Sequence, residues 1–228
     1  MDKIFDKFNM FDIFTTFIPG CIIVTLWCFI LPNENMLMFG MKYLSFVIAS
    51  YFLGLVLQEL GCIFDEKFLF KIFYGGNPRK IFLTKDLSKR LIRNPVNYTY
   101  IESIRDDVLK KTKMKKSVEK YTEEDVNSFV FSYCMNVLEI KGLNYKFDKM
   151  MILSELSRSI FWGCVGLSFW MLYEIHFVDA NICYASEKMC MLIIICILFA
   201  EKKVRYERYR YTIMLRYYKI ISETFFDS

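Results

Sequence analysis

The sequence predicts an all-α membrane protein with four transmembrane helices, a helical cytoplasmic domain between the second and third, and a C-terminal cytoplasmic helix. The chain of 228 residues is 55% apolar and 18% aromatic, with a mean hydropathy of +0.27, which is too apolar for an ordinary soluble domain of this length. No segment shows the apolar–polar alternation of a strand. The apolar residues are concentrated in four segments: Phe11–Leu31, Met41–Leu57, Ser159–Tyr173 and Met189–Ala200.

The first and the last of these segments differ in how well their length suits a membrane span. Phe11–Leu31 is long enough to span a bilayer, which takes about 20 residues. A cleaved signal peptide is not predicted, because the preceding residues mix acidic and basic side chains and no small-residue cleavage site follows. Met189–Ala200 is short, so it spans only if Lys188 snorkels outward and the helix continues toward Val204.

The distribution of basic residues predicts the topology. Residues 61–158 hold 19 Lys and Arg against 13 Asp and Glu, and residues 201–228 hold 7 against 4. The connections Pro32–Lys42 and Glu174–Lys188 carry one basic residue each. Because positive charge is enriched on the cytoplasmic side, we expect a multi-pass membrane protein with both termini in the cytoplasm.

The middle segment is predicted to be helical. Thr122 begins a capping box, an i, i+3, i+4 apolar pattern follows it, and Gly142 is placed as a C-cap. Weaker patterns predict helices at Tyr98–Lys116 and Thr84–Arg93. These helices need a partner surface, which the extensions of the membrane helices supply. The predicted division is a first membrane hairpin at 1–60, a cytoplasmic helical domain at 61–158, a second membrane hairpin at 159–201 and a C-terminal cytoplasmic helix at 202–228.

A glycine-containing turn with basic residues after it suggests an anion site. Gly75 and Gly76 allow the positive φ that ends a helix, and Pro78 prevents that helix from continuing. The cations that follow form either a solvated inward surface or, with the turn's backbone amides, a site for an anionic ligand. They are Arg79, Lys80, Lys85, Lys89, Arg90 and Arg93.

The C-terminal helix interleaves arginine with tyrosine. Arg205 and Arg208 begin this pattern, and the helix offers guanidinium and aromatic groups on more than one side. Three interpretations stay open: interfacial anchoring with phospholipid contact, binding of a single-stranded oligonucleotide by stacking and phosphate neutralisation, and packing against the middle domain.

Helix crossings and a hinge are predicted in the membrane region. Gly54, Gly163 and Gly166 allow close approach of neighbouring helices. Pro19 and Gly20 lie a third of the way into the first span, where proline removes a backbone hydrogen bond and predicts a kink, with a gating hinge as the second interpretation. Glu59 lies at the cytoplasmic end of the second span, where it either terminates the helix or lines a pore mouth.

No catalytic, cofactor or metal site is predicted. The chain has no GxSxG, Walker, HExxH or dinucleotide motif, and its eight cysteines show no spacing that suits zinc. Most cysteines lie in apolar runs, where we expect them to pack as small apolar groups. A lipid-modifying enzyme, resting on Glu59, Glu155 and His176, is the weakest hypothesis, because Glu155 and Arg158 form a structural i, i+3 pair and His176 next to Glu174 suits an interfacial position.

Several segments resemble small bacterial membrane proteins encoded in anti-phage defence loci. They are FTTFIPG at Phe14–Gly20, LGLVLQELG at Leu53–Gly61, YGGNP at Tyr74–Pro78, and the arginine- and tyrosine-rich helix after the fourth span. The membrane component of Hailong-type systems is one such relative. The resemblance implies a homo-oligomeric effector that disrupts the inner membrane when a cytoplasmic nucleotide or single-stranded oligonucleotide signal changes.

The favoured hypothesis is therefore a channel gated by an anionic ligand. Four short helices do not enclose an ion path alone, so we expect a homo-oligomer, with a tetramer favoured, in contact with membrane lipid. The alternative is a membrane anchor or accessory subunit that recruits a soluble partner enzyme encoded in the same locus.

Overall fold

The computed structural model describes residues 10–30, 43–81, 96–113, 120–177 and 182–225, and these residues form helices and short turns with no strand. Two of the seven helices contain a π-helical turn. Helix α1 comprises Met10–Asp12, a π-turn at Ile13–Phe17 and Ile18–Ile30; α2 comprises Tyr43–Phe64, a π-turn at Asp65–Leu69 and Phe70–Tyr74. The others are α3 (Pro78–Ile81), α4 (Val96–Lys111), α5 (Glu123–Ile140), α6 (Tyr145–Phe177) and α7 (Ile182–Phe225).

Within the described residues, three helices are long and apolar enough to cross a membrane. They are Ile13–Ile30 within α1, Leu44–Tyr74 within α2 and Tyr145–His176 within α6. The fourth predicted span, Met189–Ala200, lies within α7 and is not among them. The described part of the chain is therefore all-helical, with three candidate membrane spans.

The chain divides into two compact units. Unit 1 contains Met1–Phe64 and Ile152–Arg205, and unit 2 contains Asp65–Met151 and Tyr206–Ser228. The predicted four-part division stays a prediction.

In unit 1, α1 and α2 approach each other closely at two glycines. A Cβ atom on Gly20 would lie 1.8 Å from the carbonyl oxygen of Ser50, and one on Gly54 would lie 1.9 Å from that of Thr16. A side chain at either position would collide with backbone, so the crossing exists only because both residues lack a Cβ. Small residues favour such crossings in apolar surroundings, where packing replaces the hydrophobic effect as the driving force.

Helix α6 packs on this pair through one of its two glycines. A Cβ on Gly163 would come within 2.5 Å of the Ile23 side chain, whereas one on Gly166 meets nothing within 4 Å. The ring centroids of Trp27 in α1 and Trp170 in α6 lie 5.8 Å apart, with the two rings tilted by 41°. Of the two glycines on the predicted small face of α6, Gly163 is thus the one at a close helix contact.

Helix α7 joins unit 1 through a buried lysine. Lys188 is 8% exposed and its Nζ donates hydrogen bonds to the carbonyl oxygens of Phe29 (3.0 Å) and Ile30 (2.7 Å) at the end of α1. A cation at a helix C-terminus satisfies carbonyls that have no partner in the helix. The helix continues past Val204. Outward snorkelling of Lys188, which the sequence made a condition for a fourth span, stays a prediction, and the lysine hydrogen-bonds the end of α1.

Unit 2 has its own apolar core, in which the middle helices pack on the C-terminal part of α7. The ring of Phe131 in α5 lies 5.5 Å from that of Tyr211, and Tyr133 lies 6.2 Å from Tyr218. Tyr211 and Tyr218 are fully buried. Of the three interpretations of the arginine–tyrosine helix, packing against the middle domain therefore holds for these two tyrosines.

The predicted helix ends follow from local chemistry. The Thr122 hydroxyl accepts a hydrogen bond from the Asp125 N–H, as an N-cap does. Gly142 has a φ of 65° and Gly75 a φ of 81°, so each ends its helix in the left-handed region. Pro78 is the first residue of α3, where its missing N–H carries no cost.

Of the two weaker helix predictions in the middle segment, the structure describes one. The helix predicted at Tyr98–Lys116 is observed as Val96–Lys111, and it ends early because a turn forms at Thr112 and Lys113, where Lys113 has a φ of 55°. The helix predicted at Thr84–Arg93 lies outside the described residues.

Asp107 ties α4 to α7 in unit 2. Its Oδ2 accepts hydrogen bonds from Lys111 Nζ (2.9 Å), Tyr218 Oη (3.0 Å) and Ser222 Oγ (3.0 Å). Burial raises the pKa of Asp107, but the hydrogen bonds from Lys111, Ser222 and Tyr218 lower it by more, so the pKa lies below its ordinary value. The folded protein therefore stabilises the carboxylate form of Asp107 relative to the protonated form.

We expect Gly54→Ala to destabilise the protein strongly, because the new Cβ meets the Thr16 backbone at 1.9 Å and overpacking costs roughly 1–3 kcal/mol or more. The measurement is the thermal midpoint in detergent, followed by size-exclusion chromatography after heating. Gly166→Ala, where a Cβ meets nothing, is the matched control. Equal midpoints for the two variants would contradict the glycine crossing.

We expect Asp107→Asn to lower the free energy of unfolding at pH 7 by about 1–2 kcal/mol, as for partly exposed hydrogen bonds to a charged group. Because the folded-state pKa is depressed, this stability is present above the unfolded-state pKa of about 4 and is lost as pH falls through the folded-state value. Thermal midpoints of wild type and variant should therefore converge in acid. Glu223→Gln, which removes an exposed ion pair with Lys219, is the control, and a constant gap from pH 7 to pH 3 would refute the assignment.

Candidate functional site

The predicted hinge in α1 contains a widened helical turn. The Ile18 N–H donates to the Ile13 carbonyl, five residues back, and Pro19 follows with no N–H to continue the normal ladder. The π-turn is thus placed where proline interrupts the hydrogen bonding. The Thr15 hydroxyl donates to the Phe11 carbonyl at 2.8 Å, so a threonine satisfies backbone in this turn. Pro19 and Gly20 are both buried.

Polar side chains from α1, α2 and α6 form a connected network in unit 1, which we call the Arg158 network: Thr16, Gln58, Glu155 and Arg158. Thr16 Oγ1 donates to Gln58 Oε1 at 2.8 Å. Arg158 Nη2 donates to the Gln58 backbone carbonyl at 3.4 Å and forms an ion pair with Glu155. The π-turn is therefore hydrogen-bonded to α2, and α2 to a charged pair on α6.

Arg158 is a buried charge inside an apolar unit. Only 5% of the residue is exposed, and its Nε has no hydrogen-bond partner among the described residues. Gly61 provides the room, because a Cβ there would lie 3.2 Å from the arginine side chain. Charges buried in membrane helices are costly and usually serve a function, so this network is the candidate conformational element of unit 1.

Glu59 lies outside the network. It follows Gln58 in α2, but its side chain is exposed while Gln58 faces α1 and α6. The role of Glu59 at a pore mouth, like the hinge role of Pro19 and Gly20, stays a prediction.

In unit 2, the predicted basic turn and the arginine-rich helix share aromatic partners. The Arg79 guanidinium lies 4.7 Å from the centre of the Phe131 ring. Arg210 lies 5.9 Å from the same ring and 4.9 Å from that of Phe147. We call Arg79, Phe131, Phe147, Glu207 and Arg210 the Arg79 cluster. Two separate predicted sites, the turn after α2 and the Arg/Tyr helix, thus meet on one aromatic ring.

The two arginines of the Arg79 cluster differ in whether a carboxylate is paired with them. Arg210 Nη1 forms an ion pair with the buried Glu207 at 3.3 Å, whereas the exposed Arg79 has no carboxylate partner among the described residues. Burial raises the pKa of Tyr211 and Glu207 raises it further, while Arg210 and Arg79 lower it, so both cations act on one buried phenol. The cluster presents an aromatic-backed guanidinium, a group that binds carboxylate or phosphate oxygens.

The remaining predicted ligand residues are placed as follows. Lys80 forms an exposed ion pair with Glu124 at 3.2 Å, and its carbonyl accepts from Asn127. Arg208 is half-buried and hydrogen-bonds the Tyr74 hydroxyl. Arg205 is exposed. Four basic residues lie outside the described part of the chain: Lys85, Lys89, Arg90 and Arg93. Their ligand roles stay predictions.

The sequence pattern did not single out Phe131 and Phe147, whose rings lie against the two arginines. The apolar pattern of α5 included Phe129 and omitted Phe131, yet Phe131 is fully buried and Phe129 only half-buried. Phe147 lies at the start of α6, before the predicted third span.

The groups considered for chemistry are not assembled into a site. Glu155 is engaged by Arg158, and Glu174 accepts a hydrogen bond from Trp170 Nε1 at 2.9 Å. Glu174 and His176 are two positions apart on α6, so they face different directions. Within the described residues, no group of three or more His, Cys, Asp or Glu side chains could hold a metal ion.

Comparison with known proteins yields no match to a protein-family model, to a curated protein or to a solved structure.

We expect Arg158→Met to lower the free energy of unfolding by roughly 3–5 kcal/mol, because it leaves the Glu155 charge buried without its cation. The double variant Arg158→Met/Glu155→Leu should recover most of that loss, since no buried charge remains. Lys80→Met breaks an exposed pair and should change stability by about 0–1 kcal/mol. Thermal unfolding in detergent compares the three, and a double variant as unstable as the single one would contradict the buried-charge account.

Proposed function

We propose that the protein is an oligomeric channel of the bacterial inner membrane, controlled by an anionic ligand that binds the Arg79 cluster. Nucleotides and single-stranded oligonucleotides are the proposed ligand classes. In this proposal the chain crosses the membrane four times, both termini are cytoplasmic, and unit 2 faces the cytoplasm.

One observation carries the ligand proposal: Arg79 and Arg210 lie against the ring of Phe131, and Arg79 is exposed with no carboxylate partner among the described residues. An arginine held by an aromatic ring keeps its guanidinium ordered, so less conformational entropy is lost when it binds a phosphate. The Arg210–Glu207 pair provides a carboxylate that a phosphate could displace.

The fourth span is supported by contacts of α7 in unit 1. Lys188 is satisfied by the Phe29 and Ile30 carbonyls, which removes the main electrostatic obstacle to burying this part of the helix. Five large apolar residues between positions 189 and 200 of α7 are exposed, as lipid or a second subunit would require: Met191, Ile193, Ile194, Ile197 and Leu198. The cytoplasmic placement of both termini rests on the basic bias of residues 61–158 and 201–228.

A homo-oligomer, tetramer favoured, is proposed because the interior of unit 1 is filled by its own side chains. Ile160, Cys164 and Leu192 are fully buried in a continuous apolar cluster, so an ion path would lie between subunits and require closed symmetry. Disruption of the inner membrane during anti-phage defence is the proposed biological setting, and it is supported by the sequence resemblance to membrane proteins of defence loci.

A second candidate function is a membrane anchor that recruits a soluble partner enzyme. It is favoured by one apolar turn in unit 2, where Ile140 is 81% and Tyr145 72% exposed, with Leu143 between them. Such a patch suits a protein partner. The two candidates differ in conductance, which an anchor lacks.

The channel proposal is tested by ion flux from proteoliposomes containing the full-length protein. Nucleoside triphosphates and a single-stranded DNA trinucleotide are the probes. We expect flux to change with at least one probe, and Arg79→Met to shift the required concentration about 10-fold or more, as expected for one lost charge-assisted contact. Arg105→Met, which removes another arginine of unit 2 paired with Glu123, should leave that concentration unchanged.

Absence of flux with and without every probe would contradict the channel. Flux that responds to a probe equally in both variants would retain the channel but remove the Arg79 cluster as its ligand site. If no flux occurs and Ile140→Asp abolishes association with a partner encoded beside the protein, the anchor function replaces the proposal.

A further inference from the structure

The exposed face of α2 in unit 1 is an apolar stripe that ends in a carboxylate. Its apolar members recur every three or four residues, so they lie on one side of the helix: Leu44, Ile48, Phe52 and Leu55. Glu59 follows one turn later, and it is exposed within the candidate span Leu44–Tyr74. We call these five residues the α2 stripe. A charge facing lipid is costly, so the stripe favours a surface that carries a cation.

Helix α7 carries a similar stripe that ends in a cation. Met191, Ile194 and Leu198 are exposed at intervals of three and four residues. Lys202 follows one turn after Leu198 and is also exposed. Its Nζ lies 5.5 Å from the centre of the Phe199 ring, so the ammonium group lies back toward the apolar residues. We call Met191, Ile194, Leu198 and Lys202 the α7 stripe.

The net charge at the end of the α7 stripe is positive. Glu201 adjoins Lys202 and is exposed, and Arg205, one turn after Glu201, is exposed as well. Glutamate and arginine four residues apart are neighbours on a helix surface. Glu201 therefore has a cation of its own helix beside it, which leaves Lys202 available to an external carboxylate.

Two contacts with α6 place the charged ends of both stripes at the same level of unit 1. The carbonyl of Gln58, the residue before the α2 carboxylate, accepts a hydrogen bond from Arg158. The Nζ of Lys203, the residue after the α7 cation, donates to Ser154 Oγ at 2.9 Å. Arg158 and Ser154 are one turn apart on α6, which is about 6 Å along the helix axis.

Helix α2 runs opposite to α6. A Cβ on Gly163 would lie 3.3 Å from the Leu57 side chain, and one on Gly61 would lie 3.2 Å from that of Arg158. The residue number therefore rises along α2 while it falls along α6.

Helix α7 also runs opposite to α6. Trp27 in α1 lies next to Trp170 in α6, and Lys188 donates to the carbonyl of Phe29, two residues after Trp27. From that level α7 continues to its contact with Ser154. Since α2 and α7 both run opposite to α6, they are parallel to each other.

The two stripes have the same spacing. Each contains exposed residues that are seven and then four positions apart, the last being the charged one. Parallel helices with equal spacing keep these side chains in register along their contact. In that register three pairs face each other: Ile48 with Met191, Leu55 with Leu198, and Glu59 with Lys202.

We propose that the α2 stripe of one subunit packs on the α7 stripe of a second copy of this chain, with Glu59 paired to that copy's Lys202. The two stripes are different surfaces, so the interface is head-to-tail, and such interfaces close into rings. This inference rests on the homo-oligomer of the proposed function and names the surfaces that assemble it.

The test exchanges the two charges in the full-length protein. Glu59→Lys and Lys202→Glu each place like charges opposite each other, so each should raise the protein concentration needed for assembly about 10-fold or more. The double variant restores opposite charges and should assemble as the wild type does. Native mass spectrometry of a dilution series in detergent measures the assembly.

Coexpression of the two single variants locates the pair between subunits. Each variant then meets the opposite charge on its neighbour, so an even-numbered mixed oligomer should form. Glu102→Lys makes the same change of charge at an exposed residue of unit 2 and should assemble normally. Rescue by the double variant without rescue by coexpression would place the pair within one subunit and overturn the proposal.

Three other results would overturn it. A monomeric wild type would assign both stripes to lipid, single variants that assemble as the wild type would remove the charge pair, and a double variant as defective as the single ones would do the same. Ion flux from the same samples separates this inference from the channel. Charge-dependent assembly without flux would retain the interface and remove the channel, whereas flux with assembly that ignores both charges would retain the channel alone.

Discussion

Unit 1 depends on the approach of two backbones at Gly20 and Gly54. Each glycine lies against a carbonyl of the opposite helix, at Ser50 and at Thr16, so α1 and α2 are closer than any side chain would allow. This closeness brings the Thr16 hydroxyl within 2.8 Å of Gln58. The Arg158 network therefore depends on the backbone contacts between α1 and α2 at Gly20 and Gly54.

The same crossing gives a physical meaning to the π-turn beside Pro19. A proline-interrupted helix has fewer internal hydrogen bonds to hold its shape, so its geometry depends more on what it touches. Here Thr16 links that turn to Gln58, and Gln58 is linked to the Arg158–Glu155 pair. Two hydrogen bonds on Gln58 therefore connect the charged pair to the π-turn.

The packing of unit 2 depends on aromatic rings, whereas that of unit 1 depends on glycines. Phe131 is in contact with Arg79, Arg210 and Tyr211, and it gathers parts of the chain that are far apart in sequence. Because a guanidinium stacks on a ring without losing its hydrogen-bond donors, this arrangement keeps cations available. By contrast, Lys111, Tyr218 and Ser222 all donate hydrogen bonds to Asp107, and these bonds hold α4 against α7.

Local features could be predicted from the sequence, and long-range ones could not. Thr122, Gly142 and Gly75 were recognised because capping depends on residues within one turn, and the Glu155–Arg158 pair because i, i+3 neighbours meet on a helix. The hydrogen bonds from Lys188 to Phe29 and Ile30 were not predicted, because they join residues 159 and 158 positions apart in the sequence. The contact of Arg79 with Phe131 likewise depends on how α3 packs on α5, which no spacing reveals.

The most direct measurement is the mass of the purified protein in detergent by native mass spectrometry, with extraction of any bound nucleotide or oligonucleotide. The account predicts a closed homo-oligomer that carries an anionic ligand, and loss of that ligand, with the oligomer intact, in Arg79→Met. A bare monomer or dimer would contradict a ligand-controlled channel.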